Sequence, residues 1–279
     1  MPELPEVETV IRSLSSKLIG LEVSSFNFFF PGVLRNSDQS ILEKLKGKKV
    51  IRLRRRGKWI LIDFESHLSL VCHLKMTGQL LFSPSKRPLD KHTHFILSFK
   101  DSRHELWFRD VRKFGSISCY PTPEVLNFLN LGPEPLGVSF SRFRKLWQGR
   151  RGRLKMLLLN QSFIAGIGNI YADEILFEAK LHPRLPAFLL EEEEFLRLWK
   201  AMRSILRKAI EYRGTSIRNF RDADGQEGDF RDILRVYGKE SEPCPRCGKE
   251  IERLRIGGRS SFFCPQCQGE KDGGVESER

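Results

Sequence analysis

Residues 160–176 read NQSFIAGIGNIYADEIL, and this stretch sets the architecture of the C-terminal half. Its pattern predicts a helix ending near Asn160, turns around Gly166 and Gly168, and a second helix beginning IYADEIL with Asn169 as its cap. Asn is a favoured N-cap because its side-chain oxygen accepts one of the backbone N–H groups left over at a helix start. The other N–H groups form an anion site, and glycines beside it let a phosphodiester approach the backbone closely. Taken alone, two glycines before a helix more often make an ordinary tight turn. Phosphate becomes the better reading only with the basic surroundings, Lys155 among them.

Those surroundings are strongly basic. With 48 Lys and Arg against 35 Asp and Glu, the chain carries a formal charge of +13, which points to a polyanionic partner, nucleic acid before an anionic membrane surface. Arg52, Arg54, Arg55, Arg56 and Lys58 cluster, as do Arg150, Arg151, Arg153 and Lys155, so one basic face is expected rather than an even coat. Glu191–Glu194 and the tail after Gly269 lean acidic. No apolar run approaches the ~20 residues that cross a bilayer. Glu3, Glu6 and Glu8 stand where a secretory signal would be basic and then apolar. A cytoplasmic protein with no membrane partner is expected.

Upstream of the opening stretch the texture is different. Apolar Val7, Val10, Ile11, Leu14 and Leu18 form one helical stripe. From about 21 to 120, LEVSSFNFFF, KKVIRLRR, KWILIDF, LSLVCHL, HFILSF, HELWFRD and GSISCY follow one another between turn-forming residues, as in a sandwich or barrel. LGPEPLG (131–137) reads as a stiff linker. Downstream, 195–210 is an amphipathic helix with Gly214 placed to end it.

Four of the six cysteines form Cys244-x2-Cys247 and Cys264-x2-Cys267, separated by sixteen residues. Two such knuckles place four thiolates around one zinc, with a hairpin between them, and leave no open coordination position, so the metal is structural. Two disulfides are the competing reading, disfavoured in a reducing compartment. The hairpin segment IGGRSSFF puts Arg259 at a glycine-rich tip, where a guanidinium suits a phosphate or simply solubilises the surface. Cys72 and Cys119 lie in strand-like runs and read as buried thiols.

The chain opens MPELPEVETV. If Met1 is removed, Pro2 becomes a free secondary amine beside Glu3. An α-amine titrates near ~7.7–8.0, against ~10.4 for lysine, so a useful fraction is unprotonated and nucleophilic at neutral pH. Condensing with a sugar aldehyde carbon, it would give a charged iminium, with Glu3 exchanging the proton of ring opening. The plainer alternative is a proline-stiffened lead-in to the first helix, with Glu3 and Glu6 favourable at its N-terminus. Residue chemistry alone favours that alternative.

A resemblance reverses the balance. PELPEVETV, RRGKW (55–59), HLKMTG (73–78), DVRKFG (110–115), AGIGNIYADE (165–174) and a finger ending RSSFFCPQCQ occur in order along nearly the whole chain, which resembles the formamidopyrimidine-DNA glycosylase family. The resemblance implies an α+β multidomain fold: an N-terminal helix plus β-sandwich (1–131), a linker (132–137), a helix–two-turns–helix domain (138–236), and a β-hairpin zinc finger with an acidic tail (237–279). It implies that Pro2 is the Schiff-base nucleophile, Glu3 the catalytic acid and Glu6 its support. Lys58 would assist β-elimination, and Arg259 δ-elimination and phosphate clamping. His73, His92, Arg112, Arg151, Lys155, Asn169 and Tyr237 fall on DNA-contacting positions. Met76, Arg112 and Phe114 match a trio filling the gap left by an everted base. TSIRNFRDADGQ (215–226), with Thr215, Ser216, Ile217, Arg218, Asn219 and Phe220, matches the loop covering that base. Lys113, Val111 and Asn160 depart from residues common in the family, which touches only contacts near the wedge.

The physical sense is direct. A base inside a duplex must be turned out before C1′ can be attacked, and apolar wedges with an arginine fill and read the hole. The expected function is a monomeric glycosylase/AP lyase with one structural zinc ion, excising oxidised purines from duplex DNA that carries them or abasic sites. PELPE rather than PEGPE favours purines over the oxidised pyrimidines of the endonuclease VIII group. A catalytically inactive DNA-binding zinc protein on the same fold is the alternative from another class; it would have no need of Pro2, Glu3 and Lys58.

Overall fold

The computed structural model describes residues 1–36, 39–216 and 220–269. The chain divides into two compact units, Met1–Asn130 with Ala209–Arg231, and Leu131–Lys208 with Asp232–Arg279. Ile217, Arg218 and Asn219 of the expected base-covering loop, and the acidic tail from 270, lie outside the described residues.

In the first unit, helix α1 (Leu4–Leu18) begins three residues before the apolar stripe. Glu3 is its N-cap and Pro5 sits in the first turn, where the missing N–H costs nothing. The stripe from Val7 to Leu18 is buried in the sandwich core. Strands β1 (Val23–Phe28), β2 (Val50–Arg56), β3 (Trp59–Phe64), β4 (Leu68–His73), β5 (Gly78–Pro84), β6 (Thr93–Phe99), β7 (His104–Asp110) and β8 (Ser116–Pro121) form two four-stranded sheets, ordered β1-β6-β7-β5 and β2-β3-β4-β8. All neighbouring strands are antiparallel. Inward-facing Ile60, Ile62, Leu70, Cys72, Ile117 and Cys119 of one sheet share a core with Leu80, Phe95, Leu97, Leu106 and Phe108 of the other. The alternation expected of a two-layer sandwich is therefore present. Burial pushes the Cys72 and Cys119 thiols up to about 12, as inert core groups.

Seven of these strands coincide with the seven β-type runs. The eighth, β5, reads GQLLFSP, bracketed by a glycine and a proline that suggest turns. It is an edge strand, pairing only with β7, and an edge tolerates proline because one row of N–H groups is unpaired. Short helices α2 (Gln39–Glu43) and α3 (Val125–Leu129) complete the element order, and Val125 of α3 covers the outer-face residues Leu61 and Val71.

The second unit holds α4 (Phe140–Leu146), α5 (Leu154–Leu159), α6 (Asn169–Ala179), most of α7 (Glu192–Glu211), and the hairpin β9 (Glu252–Ile256)–β10 (Arg259–Phe263). The LGPEPLG segment is docked. The Gly132 N–H donates to the Gln161 carbonyl (2.9 Å), and a Cβ at Gly132 would fall 2.5 Å from the Phe163 backbone. At the end of α7, Arg213 and Gly214 take φ +59° and +81°, and the Gly214 N–H closes on the Ala209 carbonyl at 2.7 Å.

The chain beyond α7 returns to the first unit. There the Gly214 carbonyl, which accepts the Phe230 N–H at 3.0 Å, and the Thr215–Asp229 bridge form a narrow stem crossed by Gly228. A Cβ on Gly228 would land inside the contact envelope of the Arg213 and Gly214 carbonyl oxygens, and backbone cannot step aside as a side chain can. Gly228→Ala is expected to destabilise the first unit by about 1–3 kcal/mol, read as a lowered urea midpoint.

Candidate active site and nucleic-acid interface

The first residues are part of the packed structure. Pro2 and Glu3 are buried, and only Met1 is exposed. Glu6, at the third position of α1, uses both carboxylate oxygens. Oε2 accepts the Glu3 N–H at 2.7 Å, as in a capping box, and Oε1 accepts the Thr215 N–H at 2.7 Å. Gly214 is the neighbour that permits this approach: a Cβ there would sit 2.7 Å from Glu6 Oε1. One side chain thus ties the residue next to Pro2 to the start of the 215–226 segment. Farther along that segment, Ser216 Oγ accepts the Gly228 N–H at 2.8 Å, and half-buried Phe220 packs against the sandwich core.

Lys58 lies in the two-residue turn between β2 and β3, after Gly57 at φ +56°, the place glycine takes in a type II′ hairpin. Its side chain is buried, and Arg55 Nε, three residues earlier, pairs with Glu8 Oε2 of α1 at 3.0 Å. That ion pair fastens the Lys58 hairpin to the helix that carries Pro2 and Glu3. His73 faces Trp59 across the β3–β4 ladder, ring against edge at 4.5 Å, and its Nδ1 accepts the Lys75 N–H at 2.9 Å. Burial, with the charges of Lys75 and Lys58 adding to it, pushes His73 down to about 3. The ring is neutral at physiological pH, and with Nδ1 accepting, its proton is on Nε2.

Met76 and Phe114 stand 44% and 46% exposed in two turns that follow β4 and β7. Arg112 lies between them: its Nη1 donates to Met76 Sδ (3.0 Å) and its guanidinium covers the Phe114 ring at 4.6 Å. His92, half-buried, precedes β6 and lends its carbonyl to the Asp110 N–H at 2.9 Å.

In the second unit Gly168, not Asn169, is the N-cap of α6; Asn169 is the first helical residue. The shift follows from Gln161, whose Nε2 donates to the Ile167 carbonyl (2.8 Å) and whose Oε1 accepts the Gly166 N–H (2.9 Å), winding the turn one residue further. Freed from capping, Asn169 donates from Nδ2 to the Ser260 carbonyl on the finger hairpin at 3.0 Å. Lys155, expected among surface DNA contacts, is fully buried. Its ammonium pairs with Asp173 Oδ1 (2.7 Å) and donates to the same Ser260 carbonyl (2.8 Å). Position 155 faces inward because α5 packs on α6, and its charge has to be met there. Burial raises the Asp173 carboxyl to about 7 against the pull of Lys155.

Asp173 and its neighbour Glu174 were not singled out by the sequence reading, although both stand in the quoted AGIGNIYADE. Asp173 accepts the Phe262 N–H of β10 (3.1 Å), while Glu174 accepts the N–H groups of Arg235, Val236 and Tyr237 at 2.9–3.1 Å. These bonds hold both ends of the finger module on α6. Arg259 projects, exposed, from the two-glycine turn of that hairpin (Gly257 and Gly258, φ +55° and +75°), and Arg151 is exposed in the loop before α5. The signal that could have found the acids is their place amid the apolar run Ile170–Phe177, which the helix buries.

The four module cysteines bring their Sγ atoms within 4.8 Å of one another. Cys244–Cys267 and Cys247–Cys264 separations of 3.9 and 3.5 Å bracket the ~3.8 Å edge of a tetrahedron with metal–sulfur bonds of about 2.3 Å. The set fits a four-coordinate metal ion.

A capped helix on a β-sandwich, a helix–two-turns–helix and a four-cysteine hairpin are together the build of a DNA glycosylase. The chain belongs to the formamidopyrimidine-DNA glycosylase family. Residues 1–117 match the formamidopyrimidine-DNA glycosylase N-terminal domain, 131–221 its H2TH domain, and 241–269 the zinc finger found in FPG and IleRS. The formamidopyrimidine-DNA glycosylase of Desulforamulus reducens is 45% identical over 263 residues, 92% of this chain and 95% of that protein. That of Carboxydothermus hydrogenoformans is 45% identical over 258 residues, 91% and 95%. A crystal structure of Lactococcus lactis Fpg with abasic-site DNA is 36% identical with a TM-score of 0.90, covering 96% of this chain and 100% of that one. A second, of a variant of that enzyme with Fapy-dG DNA, is 35% identical with a TM-score of 0.91 and the same coverage.

The neutral state of His73 has a measurable consequence. The unfolded chain binds a proton at this position below about pH 6.5, whereas the folded one does not until about pH 3. His73 therefore subtracts stability as pH falls through that window, with a limiting slope of about 1.4 kcal/mol per pH unit. His73→Asn keeps an acceptor for the Lys75 N–H. Urea midpoints from pH 7.5 to 4.5 are expected to fall less steeply for it than for the wild type.

Proposed function

We propose that the chain excises oxidised purines, 8-oxoguanine and formamidopyrimidines, from duplex DNA and then cleaves the strand as an AP lyase. The observation that carries this reading is the built N-terminus. A terminal Pro-Glu with no task would fray, whereas here both residues are buried and the second is clamped by Glu6. With Met1 in place the Pro2 nitrogen is a tertiary amide; its removal leaves a secondary amine. The amine attacks C1′ of the damaged nucleotide, the C1′–base bond breaks, and Glu3 delivers the proton that opens the sugar ring. The iminium acidifies C2′–H, whose loss expels the 3′ phosphate, and a second elimination expels the 5′ phosphate. Lys58, buried on its hairpin, assists the first elimination, and Arg259 clamps phosphate through the second.

Duplex DNA is the partner. The +13 charge and exposed Arg151 and Arg259 supply phosphate contacts, the N-terminus of α6 with Asn169 adds another, and Tyr237 and His92 follow as further contacts. His73 contacts phosphate as a neutral Nε2–H donor. Met76, Arg112 and Phe114 enter the stack as the base leaves it. The segment around Thr215, Ser216 and Phe220 borders the base; Ile217, Arg218 and Asn219 belong to the same proposal. The metal is one structural Zn2+, which would be held by Cys244, Cys247, Cys264 and Cys267 and would supply rigidity to the hairpin bearing Arg259. The chain is proposed to work on the nucleoid as a cytoplasmic monomer; no helix among the described residues is long and apolar enough to cross a membrane. Oxidised pyrimidines are the second reading, since Lactococcus lactis Fpg, 35% identical, has been solved with DNA containing one.

Borohydride added during turnover of an 8-oxoguanine duplex should trap a covalent protein–DNA adduct on the N-terminal peptide at Pro2. An added residue before Pro2 should abolish trapping while leaving binding intact. An adduct at Lys58 would defeat the assignment, and faster incision of a thymine glycol duplex would defeat the purine preference.

Metal analysis of the purified chain is expected to return one zinc per molecule. Cys247→Ser should lose the ion and at least tenfold in DNA affinity, with the near-ultraviolet signal of the sandwich unchanged. Iron in place of zinc, or no metal, would refute the assignment.

A further inference from the structure

Asp110 ends β7 and is completely buried, yet the proposed chemistry gives it no task. Every polar group it owns is spent on a neighbour of the proposed DNA contacts. Its carboxylate Oδ1 accepts the Arg112 N–H at 3.1 Å and the Thr77 hydroxyl, and Oδ2 accepts the Gly115 N–H at 2.7 Å. Thr77 Oγ1 in turn accepts the same Arg112 N–H at 3.1 Å. The Asp110 N–H reaches the His92 carbonyl (2.9 Å), and its carbonyl accepts His94 Nε2–H (2.6 Å).

Two separate turns thereby share one anchor. Thr77 directly follows Met76, and Arg112 to Gly115 is the turn that presents Arg112 and Phe114. Both turns contain a non-glycine residue in the left-handed region next to a projecting side chain, Lys75 at φ +50° and Lys113 at +57°. Such conformations cost energy and persist only where surrounding bonds over-determine them. Glycine is required on either side of the anchor. A Cβ at Gly78 would fall 2.5 Å from the Leu74 carbonyl oxygen, and one at Gly115 would fall 3.1 Å from both Asp110 Oδ2 and the His73 carbonyl.

We propose that Asp110, acting with Thr77, is the positioning residue of the wedge: it locks the turn of Met76 to the turn of Arg112 and Phe114, so that the three side chains enter DNA as one rigid body. This rests on the reading that the trio inserts into the duplex. The energetic reason is preorganisation. A wedge that has to displace a stacked base works against a few kcal/mol of stacking, and loose turns would lose that work to their own ordering. Asp110 touches no substrate; it acts through the backbone of residues that do.

The test uses the full chain with its N-terminus processed. The duplex carries a tetrahydrofuran abasic analogue with 2-aminopurine opposite, whose emission rises when the stack is opened. A single-stranded abasic oligonucleotide, which has no stack to open, reports the lyase step alone. Asp110→Asn presents an NH2 group to donors, and Thr77→Val removes the bridge while sparing the carboxylate, so the second serves if the first folds poorly. Both should lose most of the emission rise at saturating protein and at least tenfold in incision of lesion duplex. Single-strand cleavage should stay within twofold, and Thr77→Ser should restore both duplex signals. A full emission rise in Asp110→Asn and Thr77→Val, or a parallel tenfold loss of single-strand cleavage, would overturn the proposal. Met76→Ala/Phe114→Ala separates the two readings. If it abolishes the rise while the Asp110 and Thr77 variants keep it, only the positioning role fails. If it keeps the rise, insertion itself fails and the positioning role with it.

Discussion

Glu6 holds a carboxylate out of water between two backbone N–H groups, that of nearby Glu3 and that of Thr215, which stands 209 residues from Glu6 in the sequence. A buried charge is tolerated only with such partners, and here each oxygen has one. The arrangement obliges the chain to bring its first residues and the stem after α7 to the same point of the sandwich unit. Gly214 has to lack a side chain because Glu6 occupies the space beside it. The placement of Pro2 and Glu3, and the path of the segment proposed to border the lesion, thus follow from one carboxylate.

The same device recurs at three further segments that bear proposed contacts. Asp110 gathers the turns of Met76 and Phe114, Glu174 gathers residues 235–237, and Asp173 with Lys155 seats the Arg259 hairpin. In a chain with a formal charge of +13, loops rich in Lys and Arg repel one another, and solvent-exposed ion pairs contribute little to holding them. A buried carboxylate that accepts main-chain N–H groups fixes the loop by its backbone and leaves side chains such as Arg112 and Arg259 unengaged by it.

The finger module uses two fastenings. Its four thiols converge to the dimensions of a metal tetrahedron, which a module with so small a core needs. The metal set by itself would leave the hairpin free to swing. The bonds from Lys155 and Asn169 to the Ser260 carbonyl, next to Arg259, remove that freedom. Arg259 is exposed, but the peptide unit beside it is held from both α5 and α6.

The amino-acid sequence by itself determined the modules. Hydrophobic periodicity marked α1 and seven strands because each element has to bury one face, and the Cys-x2-Cys pairs marked the metal site because ligand spacing is local. Ordered motifs along the chain carried the family. The strand GQLLFSP escaped because an edge strand accepts a glycine and a proline that locally read as turns. Tertiary structure alone decided what the polar residues do. Packing of α5, α6 and β10 places the Ser260 carbonyl against the Asn169 side chain and the buried Lys155 ammonium, a shared partner that neither residue type announces. Asp110 looks like an ordinary surface acid in a linear text, and the apolar run around Asp173 and Glu174 tells that they are buried but not what they bind. Their partners are backbone N–H groups, which every residue but proline possesses, so no spacing or residue type announces them.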